Sequence, residues 1–313
     1  MNNHKEITYK LVLKTPMFVN YYDIGEKLVI PAAAIRGVAK AEFQYRTTLM
    51  QFGQSDTSEN LLFGGEKVRV DFTFTDAVCS TPPSLNERNF VSLDRMTGAV
   101  DGRKNVSRVT VPAGTEFIGK VCFGEKPDGI QRSIALTAIL DIARLGSRRS
   151  SGYGTCDVFI QNRSSTIIFI SYSWEDQDHR LWVLSLAKRL IDSGIDVVLD
   201  RLSSTFYETA PQFEINKWMI QAINNSDRIL AVLTPKYKQK SEQGLGGVGF
   251  EYTHILSEQG RVSKRLERYI GVLRSGDTYE SVPHCLKDSP IVDLRPNLDT
   301  ELGISTLMKA ILA

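Results

Sequence analysis

Polar and apolar residues alternate with period two in three short segments of the first half of the chain. These segments are 7–15 (ITYKLVLKT), 68–78 (VRVDFTFTDAV) and 111–124 (VPAGTEFIGKVCFG). Such alternation predicts strands with one face on a core and the other toward solvent. Two stretches have helical spacing instead, 32–46 and 133–146, and the second ends on a glycine that favours a helix C-terminus. Strands packed around one or two helices predict an α+β domain of the ferredoxin-like type.

A different pattern begins near residue 166. Residues 166–174 (TIIFISYSW) form a continuous apolar run, as expected of a strand that is buried on both faces of a parallel sheet. Strand and helix patterns alternate after it. The predicted strands are 195–200, 227–234, 268–274 and 289–294, and the predicted helices are 178–194, 213–226 and 250–259. This alternation predicts an α/β domain with an open, flavodoxin-like parallel sheet and helices on both faces.

The change of pattern indicates two domains, which suits a chain of 313 residues. We place the first domain at 1–160, a polar linker at 161–166 (QNRSST) and the second domain at 167–313. The four cysteines lie far apart without CxxC pairs, which favours a reduced, cytoplasmic protein without a structural metal site. No apolar run approaches the roughly 20 residues that span a bilayer, and the polar start of the chain does not resemble a signal peptide.

Charge adds little at the level of the whole chain. The net charge is +2, and the first 160 residues carry 20 Lys and Arg against 17 Asp and Glu. This excess is too small to demand a nucleic-acid partner. Local clusters of basic residues at 103–108 and 144–149 could neutralise phosphates. On charge alone, solvated loops remain the simpler explanation.

Polar side chains gather where the predicted parallel strands end. Residues 171–174 follow the first strand, Asp200 and Arg201 end the second, and Tyr237 and the glycine-rich stretch 244–252 follow the third. Ligands bind at the carboxyl ends of the strands in open parallel sheets. Glycines before a helix allow the backbone to approach a ligand phosphate. These glycines match neither a Walker loop nor GxGxxG, so they are weak evidence by themselves.

The order and spacing of these segments resemble TIR domains, in particular their bacterial and SEFIR-like branch. The resemblance covers about 167–295 and is carried by FISYSWED, NNSDRILAVLTPKYKQK and GGVGFEY. It implies cleavage of NAD⁺ at the nicotinamide–ribose bond, with NAD⁺ as the substrate and no metal ion. The essential glutamate of such enzymes starts the helix after the third strand, and Glu251 holds that position. The residues implied in NAD⁺ binding are Ser171, Tyr172, Ser173, Trp174, Asp200, Arg201, Tyr237 and Phe250.

A carboxylate suits this chemistry. Departure of nicotinamide leaves an oxocarbenium-like ribose, which a nearby negative charge stabilises. Glycines replace the aromatic residue often found a few positions before the glutamate, so Phe250, Tyr237 and Trp174 are all candidates to stack on nicotinamide. A glutamate in a first helical turn also favours the helix dipole, and many TIR domains are adaptors without catalysis.

Other residues of the second half have structural explanations. Trp182 and Trp218 occur at helical spacing among apolar residues and are predicted to lie in the core. Glu175 and Asp176 precede a predicted helix and are expected to cap it. Residues 201–213 are expected to form a mobile loop over the pocket, as the family resemblance implies.

Four segments of the first half resemble, in order, motifs of RAMP proteins, the backbone subunits of CRISPR effector complexes. They are 28–43 (LVIPAAAIRGVAKAEF), 61–65 (LLFGG), 91–117 (VSLDRMTGAV through VTVPAGTEF) and 145–154 (LGSRRSSGYG). The resemblance implies a ferredoxin-like, RRM-like RAMP domain. It also implies guide RNA and other CRISPR effector subunits as partners, with stacking of the subunits into filaments.

Basic side chains within these motifs are candidate RNA contacts. Arg36 and Lys40 lie one helical turn apart, and Arg148 and Arg149 belong to a glycine-rich loop suited to phosphate. Three alanines stand where small hydroxyl residues are usual in the family, which removes hydrogen-bond donors to phosphate. Asp23, in the loop before the first motif, is a conceivable RNA-cleaving carboxylate. A module that polymerises without nucleic acid is the alternative for the whole half.

Taken together, the two halves predict a CRISPR-associated effector of prokaryotic antiviral defence. RAMP assembly would bring TIR copies together and activate cleavage of NAD⁺ to nicotinamide and ADP-ribose or a cyclic form. Contacts between identical chains are therefore expected through both halves, and no membrane is involved. Two alternatives stay open: a non-enzymatic TIR scaffold on a RAMP filament, and a target-RNA nuclease with an accessory TIR domain.

Overall fold

The structure is a computed structural model of the chain. It describes residues 5–18, 23–24, 27–39, 72–90, 106–124, 129–147, 151–199, 212–245, 249 and 267–313. An antiparallel sheet organises the first half of these residues, and a parallel sheet organises the second half.

The first half is built from short antiparallel strands. They are β1 (Glu6–Leu13), β2 (Met17–Phe18), β3 (Asp23–Ile24), β4 (Lys27–Ile30), β5 (Phe72–Phe74), β6 (Ala77–Cys79), β7 (Asn86–Phe90), β8 (Val106–Val111), β9 (Glu116–Phe123) and β10 (Cys156–Gln161). The main sheet has the order β10-β1-β9-β6-β4-β3, with β5 also paired to β9, while β2, β8 and β7 form a second sheet. Alternation is visible on β1, where Tyr9 and Leu11 are fully buried and Lys10 between them is not. The predicted α+β class with antiparallel pairing is confirmed.

Two helices accompany this sheet within the described part of the first half: α1 covers residues 32–39, and α2 is Gly129–Leu140. The backbone amide of Ala32, in the first turn of α1, donates to Asp76 Oδ1 at 2.7 Å, so the loop after β5 supplies a cap. The prediction that the second helix reaches Gly146 was wrong, because α2 ends six residues earlier. Gly146 instead has φ +80 and passes so close to β2 that a Cβ would lie 2.7 Å from the carbonyl oxygen of Phe18.

The second half has strands and helices in alternation. They are β11 (Ile167–Tyr172), α3 (Gln177–Asp192), β12 (Asp196–Leu199), α4 (Gln212–Asn225), β13 (Arg228–Leu233), α5 (Pro235–Glu242), β14 (Tyr269–Leu273), α6 (Thr278–Ser281), a 3₁₀ turn (His284–Leu286), β15 (Ile291–Asp293) and α7 (Glu301–Leu312). All pairings are parallel, in the order β12-β11-β13-β14-β15. The predicted flavodoxin-like sheet is therefore confirmed. The predicted helix 250–259 lies outside the described residues.

The parallel sheet is covered on both faces, which explains its continuous apolar strands. Leu230 and Val232 of β13 pack in a cluster with residues of α3 and α7, while Ile229 and Ala231 pack in a cluster with residues of α4. On the α4 side Trp218 is 3% exposed, which confirms its predicted place in the core. Among the described residues, no helix is both long and apolar enough to cross a membrane.

The two halves meet along β10, the edge strand of the antiparallel sheet. The amide of Val158 donates to Gln221 Oε1 and that of Ile160 donates to Asn225 Oδ1, both at 2.7 Å. Asn225 Nδ2 also donates to the carbonyl of Val158 at 2.8 Å. Side chains of α4 thus satisfy backbone groups that an exposed edge strand would leave open to other chains.

A buried ion pair ties α2 to β12 across the same boundary. Arg132 Nε and Nη2 contact the two carboxylate oxygens of Asp196 at 3.1 and 2.9 Å. The amide of Val197 donates to Ser133 Oγ at 3.1 Å beside it. The predicted linker 161–166 therefore joins two parts that are in direct contact, and the domain boundaries drawn above stay a prediction.

Candidate functional site

The strand order of the parallel sheet marks one place for a ligand. The chain leaves β11 toward α3 on one face and leaves β13 toward α5 on the other, so the switch point of the sheet, where a ligand crevice is expected, lies between the carboxyl ends of these neighbouring strands. Sheets with this 2-1-3-4-5 order bind nucleotides at the equivalent position. The predicted NAD⁺-binding residues 171–174 and Tyr237 lie at this edge.

Ser171 and Tyr237 meet across the base of the crevice. Their hydroxyl oxygens are 3.1 Å apart, and the two residues are 2% and 3% exposed. Thr234 holds Tyr237 in place, because its hydroxyl caps α5 by accepting from the amide of Tyr237 at 3.0 Å. The sequence therefore placed this pair at the right edge, and the structure makes it a buried brace between β11 and α5.

A second polar cluster lies beside this brace. Glu175 Oε1 accepts hydrogen bonds from Ser173 Oγ and Thr234 Oγ1. Asp176, rather than Glu175, caps α3, because Asp176 Oδ1 accepts from the amide of His179 at 2.8 Å. The prediction that both acidic residues serve the helix is wrong for Glu175. Its partner Thr234 is 59 residues away, and no local signal in the sequence reveals that contact.

Tyr172 and Trp174 lie toward different faces of the sheet. Tyr172 packs against the cluster under α3, with its ring 6.2 Å from that of His179. Burial lowers the pKa of His179. Trp174 packs toward the α4 face, and its carbonyl accepts from Lys240 Nζ at 3.1 Å. Of the two rings, Trp174 therefore shares the face of Ser171 and Tyr237.

The glycine-rich stretch after α5 is described at its two ends. Gly244 has φ +68, and the amide of Gly249 donates to the carbonyl of Leu245 at 3.1 Å. A Cβ at Gly249 would lie 2.1 Å from the backbone carbon of Gly244, so no other residue fits without displacing the backbone. The glycines thus allow the backbone at Gly249, two residues before Glu251, to pack directly against the backbone at Gly244.

Four predicted residues of this site lie outside the described residues. They are Glu251, Phe250, Asp200 and Arg201, of which Asp200 directly follows the last residue of β12. Within the described ranges, no group of three or more His, Cys, Asp or Glu side chains is arranged to hold a metal ion.

In the first half, the glycine-rich loop at 145–154 has a closed stem. The amide of Leu145 donates to the carbonyl of Gly154 at 2.8 Å, and the amide of Gly154 donates to that of Pro16 at 2.9 Å. Gly154 has φ +70, and a Cβ there would lie 1.7 Å from the carbonyl oxygen of Leu145. Arg148 and Arg149, between these ends, lie outside the described residues, as does Lys40.

Arginines of the β7–β8 hairpin lie beside this loop and were not among the predicted RNA contacts. Arg88 Nη1 donates to Tyr153 Oη at 3.2 Å, and Arg88 pairs directly across the strands with Arg108. Like charges at directly opposite positions disfavour pairing, which suits a surface that receives an anion. The sequence offered a signal only for Arg108, in the basic cluster 103–108.

Other basic residues of the first half differ in exposure and in pairing. Arg36, on α1, is exposed, in agreement with a surface role. The outer face of the main sheet is neutralised instead, since Lys10 pairs with Glu116 at 3.0 Å and Lys120 pairs with Glu6 at 2.9 Å. A phosphate backbone therefore finds less positive charge on the main sheet than beside the glycine-rich loop.

Fold and site together define a two-part protein: an antiparallel α+β half with a basic loop region, fused to a flavodoxin-like half with a polar cluster at its switch point. The family model of the RAMP superfamily matches residues 10–157, and that of the TIR domain matches residues 168–308. The chain therefore joins a RAMP-superfamily domain to a TIR domain, which confirms both resemblances drawn from the sequence motifs.

Three solved structures are similar to parts of the chain. A prokaryotic SEFIR domain is 24% identical, with 48% of this chain and 100% of that one covered and a TM-score of 0.38. A chain of the type III-B Cmr-β complex bound to cognate target RNA is 16% identical, with coverages of 51% and 62% and a TM-score of 0.34. A chain of a type IV-B CRISPR complex is 12% identical, with coverages of 51% and 91% and a TM-score of 0.38. The comparison with curated proteins found no match.

Proposed function

We propose that the TIR domain cleaves NAD⁺ at the nicotinamide–ribose bond, with Glu251 as the catalytic carboxylate. The observation that carries this proposal is the cluster of polar side chains between the ends of β11 and β13, at the switch point of a 2-1-3-4-5 sheet. The close approach of Gly249 to Gly244 supports it further, because it fixes the backbone just before Glu251 near the end of α5.

The reaction requires little from the protein beyond placement and charge. Nicotinamide leaves as a neutral base, so positive charge develops on the ribose, and the Glu251 carboxylate stabilises that charge. Attack by water then gives ADP-ribose, and attack by a group of the same molecule gives a cyclic ADP-ribose. In this proposal NAD⁺ is the substrate, and Trp174 and Tyr172 contact it at the rim above the Ser171–Tyr237 brace and the buried Ser173. Asp200, Arg201 and Phe250 complete the proposed pocket.

The RAMP domain is proposed to assemble the protein on guide RNA together with other CRISPR effector subunits. Arg36, Lys40, Arg148 and Arg149 are the proposed phosphate contacts, and the hairpin arginines Arg88 and Arg108 extend the same basic region. Because α2 and β10 are tied to the TIR domain, stacking of RAMP domains would set the spacing of TIR domains. Neighbouring TIR domains would then meet at high effective concentration, which is the proposed means of activation in antiviral defence.

The test is release of nicotinamide from NAD⁺ by the full-length protein, alone and assembled with guide RNA and effector subunits. We expect release in the assembled state and its loss by roughly a hundredfold or more in Glu251→Gln and Glu251→Ala. Glu301→Gln, on the exposed first turn of α7, is the matched control and should keep full activity.

Each other outcome favours a different function. Release that survives Glu251→Ala would overturn the site assignment. Absence of release in every assembled state would favour a non-enzymatic TIR scaffold on a RAMP filament. Cleavage of target RNA that is lost in Asp23→Ala would favour an RNA nuclease with an accessory TIR domain.

A further inference from the structure

Glu175 is a carboxylate that the proposed function does not use, and it lies between the carboxyl ends of β11 and β13. Glu175 Oε1 accepts from Ser173 Oγ, just after β11, and from Thr234 Oγ1, just after β13, the latter at 2.5 Å. Ser173 and Thr234 are 0% and 1% exposed, whereas Glu175 is half-buried. The carboxylate is therefore the part of this cluster that a ligand can reach, and the two hydroxyls form a closed polar floor beneath it.

One oxygen of this carboxylate is left for a ligand. Both hydroxyls bind Oε1, and Oε2 accepts no hydrogen bond from any residue that the structure describes. Lys240, a cation of the same region, donates to the carbonyl of Trp174 instead. Capping of α3 does not occupy Glu175 either, because Asp176 performs that task. Two fixed donors on Oε1 thus orient a carboxylate whose second oxygen is unused.

We propose that Glu175 is a substrate-binding residue whose Oε2 accepts hydrogen bonds from a ribose diol of NAD⁺. This inference rests on the proposed function and adds a second carboxylate with a separate task. A carboxylate accepts without donating, and a vicinal diol offers two hydroxyl donors to it. In other nucleotide-binding parallel sheets an acidic residue near the carboxyl edge accepts from ribose in the same way. Glu175 therefore holds the sugar, while Glu251 faces the charge that develops during the reaction.

The variant Glu175→Gln separates binding from folding. The amide oxygen of glutamine still accepts from Ser173 and Thr234, so the brace between the strands persists. The amide nitrogen replaces Oε2 with a donor and removes the charge, so the ribose hydroxyls lose their acceptor. Loss of a hydrogen bond to a charged group predicts a rise of roughly ten- to a hundredfold in the KM for NAD⁺, with kcat changed by less than about threefold.

Two measurements are needed, both on the full-length protein in its assembled state. Steady-state release of nicotinamide gives kcat and KM for the parent and for Glu175→Gln. Calorimetric titration with NAD⁺ gives Kd in the Glu251→Ala background, with and without Glu175→Gln, where turnover cannot interfere. Asp176→Ala is the matched control: it removes the cap of α3, so it should lower Tm and leave KM unchanged.

The outcomes separate this inference from the proposed function. A KM and Kd within about twofold of the parent values in folded Glu175→Gln would overturn the role of Glu175 and leave that of Glu251 intact. If Glu175→Gln loses as much stability as Thr234→Val and keeps its affinity for NAD⁺, the cluster only braces the two strands, and the proposed role of Glu175 is overturned as well. Failure of the parent protein to bind NAD⁺ at all would overturn both proposals.

Discussion

Removal of Arg132 tests whether the RAMP and TIR domains are held together as the structure has them. Arg132 lies on α2 and Asp196 begins β12, so their ion pair crosses the boundary between the domains. Two contacts, at 3.1 and 2.9 Å, match the guanidinium to both carboxylate oxygens. The side chains are 7% and 6% exposed, so water and salt screen the pair very little.

The expected cost comes from the charge that is left behind. In Arg132→Met the Asp196 carboxylate stays buried without its cation, and breaking such a pair costs about 3–5 kcal/mol of unfolding free energy. The matched control is Lys188→Met, because Lys188 pairs with Asp192 at 2.7 Å while both side chains are exposed. An exposed pair one helical turn apart contributes about 0.3–0.5 kcal/mol. Combining Arg132→Met with Asp196→Leu removes both charges and should recover much of the loss.

Urea unfolding followed by circular dichroism measures these differences, and trypsin provides a second readout. Arg163, between the domains, pairs with Asp227 at 2.5 Å. Loosening of the boundary in Arg132→Met should speed cleavage there, whereas Lys188→Met should not. If Arg132→Met loses no more stability than Lys188→Met and is cleaved no faster, the domains do not pack through this ion pair.

Three further predictions concern single sites. Gly154→Ala should lower Tm more than Gly152→Ala. Both glycines have a positive φ, +70 and +82, at which an alanine costs about 1 kcal/mol of stability, but only at Gly154 does a backbone atom occupy the place of the added Cβ. Equal Tm values for the two variants would contradict the closed loop stem. Burial alone would raise the pKa of Asp299, but hydrogen bonds from Arg189 and Trp182 outweigh it and lower that pKa. The resulting stability is present above the ordinary carboxyl pKa of about 3.9 and is lost as pH falls through the lowered value. In urea titrations, the free energy of unfolding should therefore fall less steeply at acid pH in Asp299→Asn than in wild type. An identical fall in both proteins would refute this. Arg88→Ala should weaken binding of single-stranded RNA and reduce its salt slope by about one, as measured by filter binding, and an unchanged slope would exclude a phosphate contact.

Much of the fold could be predicted because the residues of a strand show by their pattern whether one or both of its faces are buried. Alternation predicted β1 and β9, and continuous apolar runs predicted β11 and β13. The prediction is wrong where contacts between residues far apart in the chain determine where an element begins or ends. The predicted strand 68–78 contains a break between β5 and β6, and Asp76 in that break caps α1.

The candidate site shows the same division. The sequence placed residues 171–174 and Tyr237 at one edge of the sheet, because the carboxyl ends of parallel strands meet there. It assigned Glu175 to a helix cap, since only neighbouring residues inform such a prediction. The contact with Thr234 gives Glu175 another place, and that contact needs β11 and β13 to be adjacent. Glu251 rests on motif resemblance and stays a prediction.

By itself, the sequence determined the two families, the order of the elements and the edge of the sheet where chemistry is expected. Those features depend on residues close together in the chain. Only the tertiary structure decided how the two domains join, through Arg132 with Asp196 and through Gln221 and Asn225 with β10, contacts that span 63 to 65 residues. Polar side chains of this kind look solvent-exposed in any local pattern, because their burial depends on the surface of the other domain.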